Sequence, residues 1–168
     1  EKRASMTKNL YIKTFGCQMN ERDSEIIEQL LAQDGYVPTD SAASADVILI
    51  NTCSIREKAE QKVFSLLGHL RGEKTRNPDL LLGVTGCVAQ QQGEQIRERM
   101  PHVDLIVGTQ QIYRLPEMLK RLTGKTTSRE IATNLDASFV IPPFQKLLEK
   151  TQPSPARPSY KRFVTIMQ

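Results

Sequence analysis

Cys17, Cys53 and Cys87 are the only cysteines in 168 residues, and they lie 36 and 34 residues apart. Each closes a similar phrase: Phe15-Gly16-Cys17, Asn51-Thr52-Cys53 and Thr85-Gly86-Cys87. An odd count without a Cys-x-x-Cys pair argues against an extracellular disulfide framework. In a reducing compartment three chemistries remain: inert core thiols, a catalytic thiol, or metal ligands. A lone cysteine is most often a small buried hydrophobe. Recurrence at the same point of consecutive repeating units turns the preference toward metal. Structural zinc prefers a closed site of four ligands, and neither His69, within a helix, nor His102, after Pro101, is placed to complete one. A cubane iron–sulfur cluster normally takes four thiolates. Three would leave one iron open to solvent or a small ligand.

The elements that must position these thiols read as alternating strand and helix. Leu10 to Phe15 is a β-type run, and Ser24 to Gln33 carries Ile26, Ile27, Leu30 and Leu31 on one helical face before the stop at Asp34-Gly35. Val47 to Ile50 reads as a buried strand. A second helix is expected from Ser54, where Ser54-x-x-Glu57 forms a capping box, with Ala59, Val63, Leu66, Leu67 and Leu70 as its apolar stripe. Leu80 to Val84 gives a third strand, Ala89 to Met100 a weaker helix and Val103 to Val107 a fourth strand. A last helix carries Ile112, Leu115, Leu119 and Leu122 and stops at Gly124. Apolar strands in series with helices predict an α/β fold: a doubly wound, mostly parallel sheet of four to five strands, helices on both faces, joined by right-handed crossovers. Strand order is not legible. Such a sheet places all three cysteines at its carboxyl edge, where this architecture binds ligands. The positive end of a helix favours a thiolate, and Cys53 stands immediately before the capping Ser54. Gly16 and Gly86 remove bulk where backbone must approach a ligand closely.

Beyond Gly124 the character changes, since five of the nine prolines fall between Pro142 and Pro158. The expected organisation is a disordered leader over 1–7, a cluster-binding domain over 8–123 and a Pro-rich linker over 124–159. Within the linker a short strand is expected near Ser138 to Ile141. Residues 160–168, ending Arg162-Phe-Val-Thr-Ile-Met-Gln168, read as the first strand of a further domain. The apolar runs are too short to cross a bilayer and Glu1 to Lys8 lacks a signal-peptide pattern, so the expectation is a cytoplasmic protein, and a monomer. A net charge of +4 and a pI near 9.0 permit nucleic-acid contact without arguing for it. With four Tyr, five Phe and no Trp, no platform for stacking bases is visible.

Three segments together, Thr14-Phe-Gly-Cys-Gln-Met-Asn-Glu21, Asn51-Thr-Cys-Ser-Ile-Arg-Glu-Lys-Ala59 and Gly86-Cys-Val-Ala-Gln90, resemble the N-terminal domain of the radical S-adenosylmethionine methylthiotransferases. The wording is closest to the MiaB-like branch, which modifies tRNA. The likeness runs from about Lys8 to Leu122 and resumes over Phe163 to Met167. It implies that Cys17, Cys53 and Cys87 bind an auxiliary [4Fe–4S] cluster whose open iron presents the sulfur to be installed, as sulfide or a methylthio co-substrate. It also implies a second [4Fe–4S] cluster and S-adenosylmethionine, held by a Cys-x-x-x-Cys-x-x-Cys motif in a central radical domain, with a small C-terminal module gripping tRNA. The target would be the isopentenylated adenosine beside the anticodon. No such motif occurs in these residues, which end about where it should begin, so the chain as given is expected to be inactive alone.

Other motif residues have two readings each. Asn20 and Asn51 flank the thiols and could donate to cluster sulfide, or Asn20 could cap a helix and Asn51 hold a turn. Arg56 and Lys58 could offset cluster charge or meet phosphate, or simply be solvated. Lys62, Arg71, Lys74 and Arg76 read as solvated helix faces. Two rival functions stay open: a zinc-binding or metal-free regulatory module of the same fold, and a small electron-transfer iron–sulfur protein.

Overall fold

Every residue of the strand Val47–Thr52 is buried, as a strand covered by helices on both faces must be. The computed structural model, which describes residues 7–53, 57–125 and 128–135, builds the sheet around it. In chain order the elements are β1 (Lys8–Phe15), α1 (Gln18–Ala32), β2 (Tyr36–Pro38), β3 (Val47–Thr52), α2 (Glu57–Arg76), β4 (Leu81–Gly86), α3 (Cys87–Arg99), β5 (Leu105–Val107), α4 (Leu115–Thr123) and β6 (Glu130–Ala132). Short 3-10 turns occupy Ala42–Ser44 and Thr109–Arg114. The sheet order is β2-β1-β3-β4-β5-β6, and every pair is parallel. This is the doubly wound α/β architecture expected.

Strand alternation divides the apolar residues between two layers. Val47, Leu49, Leu105 and Val107 face one side, where Ile26, Ile27 and Leu31 of α1 meet Leu115, Met118, Leu119 and Leu122 of α4. Ile48, Ile50, Leu82, Val84 and Ile106 face the other, against Val63, Leu67 and Leu70 of α2 and Val88, Ala89 and Ile96 of α3. Of the helical stripes read from the sequence, Ile26, Ile27, Leu31, Val63, Leu67, Leu70, Leu115, Leu119 and Leu122 are buried, and Leu30 and Leu66 partly so.

Several elements differ from expectation. The sheet has six strands instead of four to five. β2 is only Tyr36-Val37-Pro38, and its proline is tolerated because the strand lies at the sheet edge. β6 falls in the stretch read as the start of the linker; three residues with one charge carry too little periodicity to betray a strand. The crossover β5–α4–β6 advances along the sheet in the same sense as β3–α2–β4 and β4–α3–β5 but over the opposite face, so its hand is opposite theirs. A uniform right-handed winding does not hold at that end. α1 begins at Gln18, six residues before the expected Ser24, and α3 begins at Cys87 instead of Ala89. Ile112 lies on the 3-10 turn that precedes α4. The expected capping Ser54, residues 1–6, the strand near Ser138 and the run from Arg162 lie outside the described residues.

Candidate metal centre

The sheet order reverses at β1: β2 lies on one side of it and β3 on the other. In parallel sheets the crevice outside the carboxyl ends of strands at such a switch point is the ligand site. Register brings Phe15 beside Thr52 and Thr52 beside Gly86. Cys17 therefore follows the end of β1, Cys53 the end of β3 and Cys87 the end of β4, on three neighbouring strands. β2 intervenes in the sequence but lies outside β1, so it does not separate them.

Cys17 is the N-cap of α1, with extended backbone (φ −100°, ψ 178°), and its carbonyl accepts from the amides of Asn20 and Glu21. Cys87 is the first residue of α3. Both cysteines thus sit at the positive end of a helix. Cys53 is buried, only 3% exposed, instead of lying in an open loop. Its amide donates to the Phe15 carbonyl at 3.1 Å, extending the β1–β3 ladder by one rung. No disulfide joins the three.

Gly16 (φ +132°) and Gly86 (φ +94°) precede two of the thiols in conformations that side chains rarely adopt. A Cβ on Gly16 would fall 2.4 Å from the Cβ of Cys53, and one on Gly86 would fall 2.5 Å from the Thr52 carbonyl. The close approach expected of these glycines is thus to the neighbouring strand end.

Beneath the thiols lies a polar layer, buried except at the half-buried Thr14. Thr14, Asn51 and Thr85 stand in register across β1, β3 and β4. Asn51 donates from Nδ2 to the Asn20 carbonyl (2.8 Å) and to Ser24 Oγ (2.9 Å). Ser24 Oγ in turn shares a hydrogen bond with Thr14 Oγ1 at 2.8 Å. Asn20 donates from Nδ2 to Asn51 Oδ1 at 3.0 Å, and its own Oδ1 accepts from the Cys17 thiol at 3.4 Å. The last contact belongs to a protonated cysteine. Asn20 and Asn51 are 1% and 0% exposed, so Asn51 is a strand residue and not a turn, and Asn20 lies inside α1 and does not cap it.

The donor set fits an iron–sulfur cluster: three thiols on adjacent strand ends, two of them at helix N-termini. Thr85 Oγ1, buried two residues before Cys87, has no hydrogen-bond partner among the described residues. Among the described residues no three Cys, His, Asp or Glu side chains are close enough to hold a single metal ion. A cubane binds its thiolates on separate irons and so needs them farther apart than one zinc does. His102 is engaged elsewhere, its Nε2 2.7 Å from the Leu67 carbonyl, and His69 is exposed on α2.

Arg56 lies outside the described residues. Lys58, Lys62, Arg71 and Arg76 are exposed, as read. Lys74 is not: its Nζ donates to the Leu80 carbonyl and to Asp104 Oδ2 (2.8 Å), stitching α2 to the start of β5. Thr14, Ser24 and Thr85 carry only element and motif places in the sequence and no site role, although strand or helix parity turns each of these polar residues inward. Asp23, unnoticed there, is raised by burial to about 6 against the opposing pull of the Arg22 guanidinium. Burial likewise raises the Tyr113 hydroxyl, with a further push from Asp23.

Over 161 residues, 96% of this chain, the sequence is 52% identical to a tRNA-2-methylthio-N(6)-dimethylallyladenosine synthase of Desulfotalea psychrophila, covering 35% of that protein. A protein of the same name from Pseudoalteromonas translucida is 50% identical over 164 residues, 97% of this chain and 32% of its own. A third, from Herminiimonas arsenicoxydans, is 59% identical over 124 residues, 72% of this chain and 28% of its own. The chain thus spans roughly a third of the length of the curated relatives it matches. The family model described as Uncharacterized protein family UPF0004 matches residues 9–108, from β1 through β5, and takes in all three cysteines and the amide pair beneath them. This chain belongs to that family.

Proposed function

We propose that Cys17, Cys53 and Cys87 together ligate an auxiliary [4Fe–4S] cluster in a protein that installs a 2-methylthio group on N6-isopentenyladenosine beside the tRNA anticodon. The observation that carries the reading is the position of the three thiols at the carboxyl ends of adjacent parallel strands, at the switch point of the sheet. The name borne by relatives near half identity supports the tRNA substrate. When bound, a cluster with three protein thiolates offers one iron for an exogenous sulfide or methylthio co-substrate.

The chain's own residues prepare that site. Cys17 and Cys87 stand at the N-termini of α1 and α3, whose positive ends would face a bound anionic cluster. Cys53, buried against the Gly16 turn, closes the side nearest the core. Radical chemistry draws on a second cluster and S-adenosylmethionine, for which these 168 residues hold no Cys-x-x-x-Cys-x-x-Cys motif. The reading takes the protein as a cytoplasmic monomer with tRNA as its macromolecular partner; no helix among the described residues is long and apolar enough to cross a membrane.

Anaerobic reconstitution with ferrous iron and sulfide tests it. The expected yield is about four iron and four sulfide per chain, lost when any one cysteine is replaced. Zinc, or no metal at all, would favour the regulatory module. A complete cubane that takes up no added sulfide would favour electron transfer.

A further inference from the structure

We propose that Asn20 and Asn51 act as one positioning unit that fixes the mutual placement of the three thiol-bearing turns. The inference rests on the cluster reading and deepens it.

Backbone pairing cannot do this alone. The ladders end at Phe15, Thr52 and Gly86, and beyond them the Cys53 amide to the Phe15 carbonyl adds one bond between β1 and β3. The amide pair reaches all three turns. Asn20 Oδ1 touches the Cys17 thiol and lies 3.0 Å from where a Cβ of Gly16 would stand. Asn51 leads directly to Thr52 and Cys53, and its Oδ1 lies 2.6 Å from where a Cβ of Gly86 would stand, next to Cys87. One buried pair thus bonds the Cys17 turn to β3 and leaves Gly86, next to Cys87, room only for a glycine against Asn51.

The orientation of both amides is determined by their partners. Asn51 Nδ2 faces the backbone carbonyl of Asn20, which only accepts, so a flip would oppose two oxygens in a buried site. With Asn51 fixed, its Oδ1 draws the Nδ2 of Asn20, and Asn20 must turn its own oxygen toward Cys17. Ligation removes the thiol proton and that one contact. The lock between Asn20 and Asn51 does not involve the sulfur and survives. Neither amide touches metal; both act through the turns.

The test uses the 168-residue chain reconstituted with ferrous iron and sulfide, with iron release to a chelator and the EPR spectrum of the reduced cluster as readouts. Asn20→Ala and Asn51→Ala are expected to release iron at least about tenfold faster than wild type, the usual scale for residues that orient metal ligands, and to shift the EPR line shape. Because the two act as a unit, the double variant should release iron no faster than the worse single variant. Val103→Ala, a buried residue just before β5 and so at the amino edge of the sheet, opposite the cysteines, serves as a control for general destabilisation. Release and spectra equal to wild type in both single variants would overturn the proposal. So would a control of matched melting temperature that releases iron as fast as they do. If Asn51→Ala does not fold, Asn20→Ala against the same control decides. Wild type that loads no iron, or loads it equally without the cysteines, refutes the cluster reading itself and takes this proposal with it.

Discussion

Asn20 and Asn51 exchange two hydrogen bonds across the seam between α1 and β3, side chain to side chain at 3.0 Å and side chain to backbone at 2.8 Å. Truncating Asn51 leaves the Asn20 carbonyl without this side-chain donor. Asn51→Ala is expected to lower unfolding free energy by about 1–3 kcal/mol, measured as a reduced urea midpoint at unchanged slope. A variant as stable as wild type would mean that water replaces the amide.

Each of Cys17→Ala, Cys53→Ala and Cys87→Ala should abolish stable cluster binding while far-UV helicity stays nearly intact. Cys53→Ala should also cost about 1 kcal/mol, because its sulfur is buried where the other two are partly exposed. Iron analysis and circular dichroism on the same samples check both parts. A variant that keeps a full cluster would remove that cysteine from the ligand set.

The metal-free chain should unfold in one cooperative thermal transition. Two apolar layers, one on each face of the sheet, close without help from the thiols, unlike zinc domains in which metal binding supplies the folding free energy. Hydrogen exchange should be fastest at the turns after β1, β3 and β4. A chain unfolded without iron would make the cluster a structural staple.

Asp23 gives a pH dependence of defined sign. Burial raises its carboxyl from 3.8 to about 6 in the folded state, so between these values the folded chain holds more protons than the unfolded one. The contribution of Asp23 to stability is therefore greatest at low pH and falls as pH rises through about 6. Asp23→Asn should stabilise the protein at pH 7, by about 1 kcal/mol, and much less near pH 4. Urea melts of both proteins across that range would expose an equal gain at every pH, which would count against the assignment.

Incubated with isopentenylated tRNA, S-adenosylmethionine and reductant, the reconstituted 168-residue chain should form no 2-methylthio product. Abstraction at an unactivated adenine C–H needs a carbon-centred radical, and the three cysteines, 36 and 34 residues apart, cannot compose the motif that generates one. Mass spectrometry of digested tRNA would detect turnover, and any turnover would place the radical site within these residues.

The three thiols, the apolar strands β1, β3, β4 and β5 and the stripes of α1, α2 and α4 were legible because period and spacing record burial directly. Four hydrophobic strands alternating with helices leave few architectures, and the parallel sheet follows from them. The order β2-β1-β3 was not legible: Tyr36-Val37-Pro38 is too short to show a period, and its place outside β1 is what keeps the cysteine strands adjacent. β6 escaped for the same reason, its pairing with β5 supplied by the tertiary fold rather than by local pattern. The early start of α1 at Gln18 was hidden by polar residues in its first turns, yet those residues, Asn20 and Ser24, are buried because the helix end packs over Asn51. The polarity of a side chain by itself declares nothing about its burial. Its place is decided by the partner that satisfies its hydrogen bonds, and for Asn20 on α1 that partner lies 31 residues away on β3.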